Sequence, residues 1–169
     1  MTSAAALTLR KRGMGPLIKA IYGQLLHMIW IGVFNKRYFR KRIYNFQMDL
    51  DLEDKGLSRT LMLFGERELD HKLLLEEVCK TGMKVLDIGA NIGYYAIMES
   101  KVIGPSGSIT AIEPMLPNIE MLKRNIELNS VSNISVIHGA VSESTGTGQM
   151  YMSSHSNLHT FHKDGTAAA

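Results

Sequence analysis

The sequence predicts an α/β fold: a Rossmann-like parallel sheet with flanking helices, incomplete on its C-terminal side and preceded by a basic N-terminal helix and a β-strand. Three observations carry this. Val85–Tyr95 reads as a buried strand, a tight small-residue turn and the start of a helix. A carboxylate, Glu113, ends the next apolar run, 24 residues after Gly89. Strand-like and helix-like segments then alternate, and a βαβαβ order implies right-handed crossovers and parallel strands. A small-residue turn followed by an acid is how such a sheet builds a nucleoside pocket.

The chain has 169 residues, enough for one domain, or one domain plus an appendage. Residues 1–42 form a basic arm with an apolar helix, residues 43–83 a strand and helix leading in, and residues 84–169 the cofactor-binding part of the domain. In residues 43–52, Tyr44, Phe46, Met48, Leu50 and Leu52 alternate with Asn45, Gln47, Asp49 and Asp51. That period of two predicts one half-buried strand. Residues 61–64 are a short apolar run closed by Gly65. A helix is expected from Asp70, a good N-cap, to Thr81, with Gly82 just beyond it. Residues 84–88 predict a strand and 93–103 a helix ended by Gly104-Pro105. Residues 108–113 predict a second strand. Residues 117–129 predict a second helix, with Pro117 in its first turn and Ile119, Leu122 and Ile126 on one face. Residues 134–141 predict a third strand, and residues 149–152 are a candidate fourth.

Charge is split along the chain. Residues 1–48 hold nine Lys or Arg and no Asp or Glu, whereas the remainder holds 10 basic and 16 acidic residues. The net charge of +3 therefore belongs to the arm. Within it, residues 17–34 are 18 strongly apolar residues between basic clusters, the lower limit for a membrane span. Lys19, Gln24 and His27 count against a clean span. Three readings stay open: a helix lying in a membrane surface or against a partner, a membrane anchor, and an ordinary helix packed on the domain. The cluster at residues 36–42 suits anionic head groups or a solvated linker; nucleic acid is not the expected partner. One cysteine, Cys79, excludes an internal disulfide framework and fits a reducing compartment. A cytoplasmic location is expected, with residues 10–42 as the route to a membrane surface.

The turn itself narrows the ligand. Asp87 stands at the carboxyl end of its strand, where sheet ligands bind. Gly89 and Gly93 permit positive φ and close backbone approach, and Asn91 tolerates the left-handed region. A dinucleotide site favours three glycines at fixed spacing for a pyrophosphate. Here Asn91 takes the middle position and Tyr94 the third. A ligand carrying an ammonium and a sulfonium fits better than a polyanion, which points to S-adenosylmethionine.

These residues resemble the FkbM-type branch of class I S-adenosylmethionine-dependent methyltransferases. The matching residues are Asp87-Ile88-Gly89-Ala90-Asn91-Ile92-Gly93-Tyr94-Tyr95, then Ala111-Ile112-Glu113-Pro114, the helix end Leu122–Asn129 with its Asn-x-x-x-Asn, and Gly139-Ala140-Val141-Ser142. Upstream, Asp54–Ser58 and Gly65–Glu68 are similar to segments that precede this domain. The resemblance spans roughly residues 43–162. It implies that Asp87, Gly89, Ala90, Asn91, Gly93 and Tyr94 line the methionine and ribose side, that Glu113-Pro114 takes the ribose hydroxyls, and that Ala140 and Ser142 lie near the adenine. Glu68 is a lesser candidate at the pocket edge. The expected activity is O-methylation of a hydroxyl on a sugar, glycan or small metabolite. Neither a catalytic base nor a metal site is assigned: His155, His159 and His162 lie in a Ser-rich stretch without acidic or thiolate ligands. His138 is expected to be structural.

A complete sheet of this class has about seven strands, and only 85 residues follow from Val85 onward. The sequence thus reads as the cofactor half of a methyltransferase, marginal as a monomer and with an unpaired edge at its last strand. Two other readings remain: a non-catalytic module bound to a membrane or partner, and a nicotinamide-dependent oxidoreductase.

Overall fold

This computed structural model describes residues 14–151. Helix α1 (Met14–Gly32) comes first. It is followed by an antiparallel hairpin of β1 (Tyr38–Ile43) and β2 (Phe46–Asp51). The single strand expected over residues 43–52 is therefore only the second arm of a hairpin. Its turn is Tyr44-Asn45, with Tyr44 at φ +50°. The basic cluster, expected as a linker or lipid-binding segment, is strand β1. Cross-strand acids explain this: Arg40 lies directly opposite Asp49 and donates to it from Nε at 2.8 Å and Nη2 at 3.1 Å. Opposite charges facing each other across strands favour pairing. Arg37 is likewise held by Asp51.

The alternation in β2 works as expected. Phe46, Met48, Leu50 and Leu52 are buried and form one core with α2 (Leu57–Phe64), Ile92, Tyr94 and Ile97. Asp49 is buried too, although it lies on the opposite face. Helix α5 (Leu116–Leu128) covers that side, and Arg124 Nε reaches the same carboxylate at 2.6 Å.

Helix α3 runs Leu69–Val78, shorter than expected. Its N-cap is Glu68 in the left-handed region (φ +50°) without a side-chain cap, not Asp70, and it ends at Cys79 rather than at Gly82. The Arg67–Glu68 segment is tied instead to the helix after the motif turn, which sets where α3 begins. β3 (Lys84–Ile88), α4 (Tyr94–Ile103) and β4 (Ser108–Glu113) fall where the sequence places them. The third strand, β5, is shorter, Ile134–His138; beyond it the chain leaves the sheet at Gly139, and residues 149–150 are not strand. The strands form a parallel sheet in the order β3-β4-β5. A second core under this sheet joins Ile109, Ala111, Ile103, Ala96 and Leu122.

Among the described residues, both outer strands have an unpaired edge, not only the last one. One face of the sheet is open as well: Leu86 is 57%, Ile88 55% and Ile137 48% exposed. Helix α3 buries none of its residues.

Helix α1 packs on α2 through Gly23. A Cβ at this position would stand 2.9 Å from Leu63 Cα, so the two backbones meet directly. His27 Nε2 bonds the Leu52 carbonyl at 2.8 Å and Arg59 donates to Gln24 at 3.1 Å. Among the described residues, no helix is long and apolar enough to cross a membrane.

Candidate functional site

The motif turn follows β3 and sits against the end of β4. Its first five amides are all used internally. Gly89 N and Ala90 N both donate to the Ile112 carbonyl, at 2.8 and 3.0 Å, and Gly93 N donates to Ala90 O at 2.9 Å. Asn91 N donates to Glu113 Oε2 at 2.8 Å, and Ile92 N to Asn91 Oδ1 at 2.8 Å. Gly89 (φ +79°), Asn91 (φ +51°) and Gly93 (φ +90°) all hold positive φ.

The two glycines do different work. Nothing lies within 4 Å of where a Cβ on Gly89 would stand, whereas one on Gly93 would sit 2.5 Å from Leu122 Cδ1. Gly89 opens onto ligand space; Gly93 is there so that α4 and α5 can pack. Gly93 therefore serves the site from behind the turn.

Glu113 is buried, 4% exposed. Its carboxylate accepts from Asn91 N at 2.8 Å, Met115 N at 3.0 Å and Asn118 Nδ2 at 3.0 Å. It orders the turn. Asp87 is on the covered side of β3, opposite Ala111, and its Oδ2 has no hydrogen-bond partner. Burial, and then the Glu113 charge, raise its carboxyl from 3.8 to about 6.

Two adjoining cavities lie at the carboxyl end of the sheet, one of them lined by Glu113. One of about 260 Å³ is lined by Leu57, Arg67, Gly89, Ala90, Asn91, Tyr94, Tyr95 and Glu113. The other, about 610 Å³, is lined by His138, Gly139, Ala140, Ser142 and the loop to Gly148. Pro114 and Met150 border both. Of the sequence candidates, Gly89, Ala90, Asn91, Tyr94, Glu113 and Pro114 meet at the first cavity, Ala140 and Ser142 at the second, and Asp87 and Gly93 at neither. His138 Nε2 donates to the Pro114 carbonyl at 3.0 Å, tying β5 to the residue shared by the cavities. His155, His159 and His162 lie outside the described residues.

Sequence reasoning passed over Arg67 as a site residue. Tyr94, almost fully buried, brackets its backbone: the hydroxyl accepts from Arg67 N at 3.3 Å and donates to Arg67 O at 3.1 Å. Glu68 holds the Arg67 guanidinium at 2.9 Å and accepts from the Tyr95 hydroxyl. Its carboxyl is held low, chiefly by that tyrosine bond. The adjacent tyrosines of the motif were the available signal, since a buried phenol needs a partner.

A third acid lies beneath the turn. Glu99 on α4 is 7% exposed, and its Oε2 has no partner. Burial, then the charge of Asp87, push it from 4.5 up to about 7. A carboxyl raised on folding keeps its proton longer in the native state, so stability falls as pH rises from about 4.5 to about 7. Glu99→Gln is expected to remove that slope. Above the raised value the variant should be more stable than the parent by on the order of 1–2 kcal/mol. Urea midpoints measured at acid and alkaline pH test this; parallel curves for the two proteins would refute it.

The Protein-L-isoaspartate O-methyltransferase of Methanothrix thermoacetophila is 38% identical over 60 residues, covering 36% of this chain and 29% of that protein. That of Thermotoga maritima is 36% identical over 58 residues, covering 34% and 18%. The chain thus spans less than a third of the length of these curated relatives. Among solved structures, Trm5b from Pyrococcus abyssi aligns with a TM-score of 0.50 at 23% identity over 62% of this chain and 29% of its own. TYW2 of M. jannaschii, solved with AdoMet, aligns with a TM-score of 0.51 at 22% identity over 61% and 43%. These two show the shared Rossmann-like methyltransferase fold. The family model for Protein-L-isoaspartate(D-aspartate) O-methyltransferase (PCMT) matches residues 33–147, more than half of the sequence, and the chain belongs to that family.

Proposed function

We propose that the two cavities hold S-adenosylmethionine and that the protein serves methyl transfer to an oxygen. The observation that carries this is the amide inventory of the turn. A pyrophosphate site leaves the first amides of its glycine turn free for the ligand. Here five consecutive amides, Gly89 to Gly93, are already bonded within the protein. The turn is not set to receive a polyanion, and Glu113 makes its mouth negative.

The residues fit a nucleoside that also carries an amino acid. Gly89 leaves room beside the turn, and Glu113 is the acid placed for ribose hydroxyls. Ala140 and Ser142 border the larger cavity, which is open to a base. Arg67 is the cation of the smaller cavity and suits the α-carboxylate. When bound, the cofactor supplies an electrophilic methyl group, and the chain supplies positioning and exclusion of water.

Calorimetry with S-adenosylhomocysteine and NAD, using the full chain, tests the reading. S-adenosylhomocysteine should bind and NAD should not; tighter binding of NAD would overturn it. Arg67→Ala should weaken S-adenosylhomocysteine about tenfold, the loss of one charge-assisted contact, and leave adenosine, which lacks the carboxylate, unchanged. Equal losses for both ligands would remove Arg67 from the carboxylate site.

For the acceptor, the relatives' printed names favour a protein carboxylate, an isoaspartyl group. A carboxylate is already ionised and needs no base. A second reading, O-methylation of a hydroxyl on a sugar or small metabolite as in FkbM-type enzymes, has its own support. The two upstream segments of that resemblance supply Leu57 and Arg67 to the cavity wall. Methyl transfer from labelled cofactor to an isoaspartyl peptide, against a panel of sugars, separates them.

A further inference from the structure

Helix α1 has a face that the fold leaves uncovered. Met14, Ile18, Ile21, Leu25 and Met28 recur at helical spacing and are 54–63% exposed. The side that packs on the domain, through Gly23, Leu26 and Trp30, lies opposite. Five large apolar side chains in one exposed row are not accounted for by the domain's own core.

The charges around this row are one-sided. The sequence has no Asp or Glu before Asp49. Arg37 and Arg40 are neutralised by Asp51 and Asp49. Among the described residues, Lys19, Lys36, Lys41 and Arg42 make no ion pair. Lys19 and Lys41 line one cavity of about 460 Å³ beside α1, together with Tyr22, Leu26, Phe39 and Phe64. Lys41 is half-buried there and donates to the Met62 carbonyl. Burial, and then the charge of Lys19, push its amine down.

We propose that α1 lies in the surface of an anionic lipid bilayer, with its exposed row in the acyl boundary and the exposed, unpaired Lys36 at the lipid head groups. Charge selects this occupant. A second copy of the chain would bring Lys19 and Lys36 against the same cations with no acid from this segment between them. A bilayer surface supplies apolar depth and negative charge together. No helix among the described residues is long and apolar enough to cross; the placement proposed is in the plane of the interface.

Flotation of the full chain with vesicles tests this. Binding to phosphatidylcholine mixed with phosphatidylglycerol should exceed binding to phosphatidylcholine alone by about tenfold and fall with added salt. The double change Leu25→Glu with Met28→Glu should abolish flotation. Both sites are exposed, so circular dichroism should be unchanged; if it is altered, Lys36→Glu, at an exposed residue outside the packed side, carries the test and should weaken anionic binding. Equal binding to both vesicle types, no binding to either, or undiminished binding by a folded variant would overturn the proposal. So would a dimer in light scattering that is dispersed by the double change and does not bind vesicles.

Discussion

Asn125→Leu is expected to cost the fold about 3–5 kcal/mol, because it strands buried backbone groups without filling new space. Asn125 is fully buried. Its Oδ1 accepts from Asp49 N at 2.7 Å, and its Nδ2 donates to Ile92 O at 2.9 Å and Asp49 O at 3.3 Å. One turn on, Asn129 does the same for Gln47: Oδ1 accepts from its amide at 2.9 Å and Nδ2 donates to its carbonyl at 2.7 Å. The spacing has a simple origin. Four residues of helix rise about 6 Å, and two residues of strand about 6.6–6.8 Å. Two side-chain amides on α5 therefore act as a strand would, pairing with alternate residues of the outer edge of β2. Leucine keeps the branching, is somewhat larger, and loses every bond. Asn129→Ala, nearer the surface, should cost only about 1 kcal/mol. Urea midpoints rank the two; equal losses would mean that burial does not set the difference.

Glu113→Gln carries the second large effect. It should lower stability by about 1–3 kcal/mol and weaken S-adenosylhomocysteine by at least about tenfold, the loss of a charge-assisted bond. The native carboxylate meets three donors and presents none of its own. An amide must turn an NH₂ toward Asn91 N or toward Met115 N and Asn118. The turn then loses an anchor at the place where the ribose is proposed to bind. Thermal melts with and without ligand separate the two contributions. A variant with normal stability and normal affinity would refute both roles, while one with normal affinity but lower stability would leave Glu113 as an anchor of the turn alone.

The parallel sheet was legible because β3 and β4 obey local rules: short β-rich runs bounded by Gly and Pro. The hairpin was not. Tyr38–Arg42 of the basic run pair as a strand with Asp49 and Asp51 opposite, a pairing no local window contains. The start of α3 failed for the same reason, since Tyr94 and Tyr95, 27 residues away from Arg67 and Glu68, fix that segment. Within the site, Gly89 and Glu113 could be read from spacing and chemistry. Gly93 was read correctly as positive-φ but for the wrong neighbour, because α5 packing is invisible from the turn alone. Arg67 needed the tertiary contact that aims it.

The open face of the sheet has its own consequence. Among the described residues, β3 pairs on one edge only, and Leu86 and Ile88 are exposed. An edge strand with few buried contacts frays at lower free energy than the centre of its sheet. A turn with five bonded amides thus hangs from a strand paired on one edge among the described residues. A molecule seated at Gly89 and any surface laid over Ile88 would steady the same few peptide units from opposite sides.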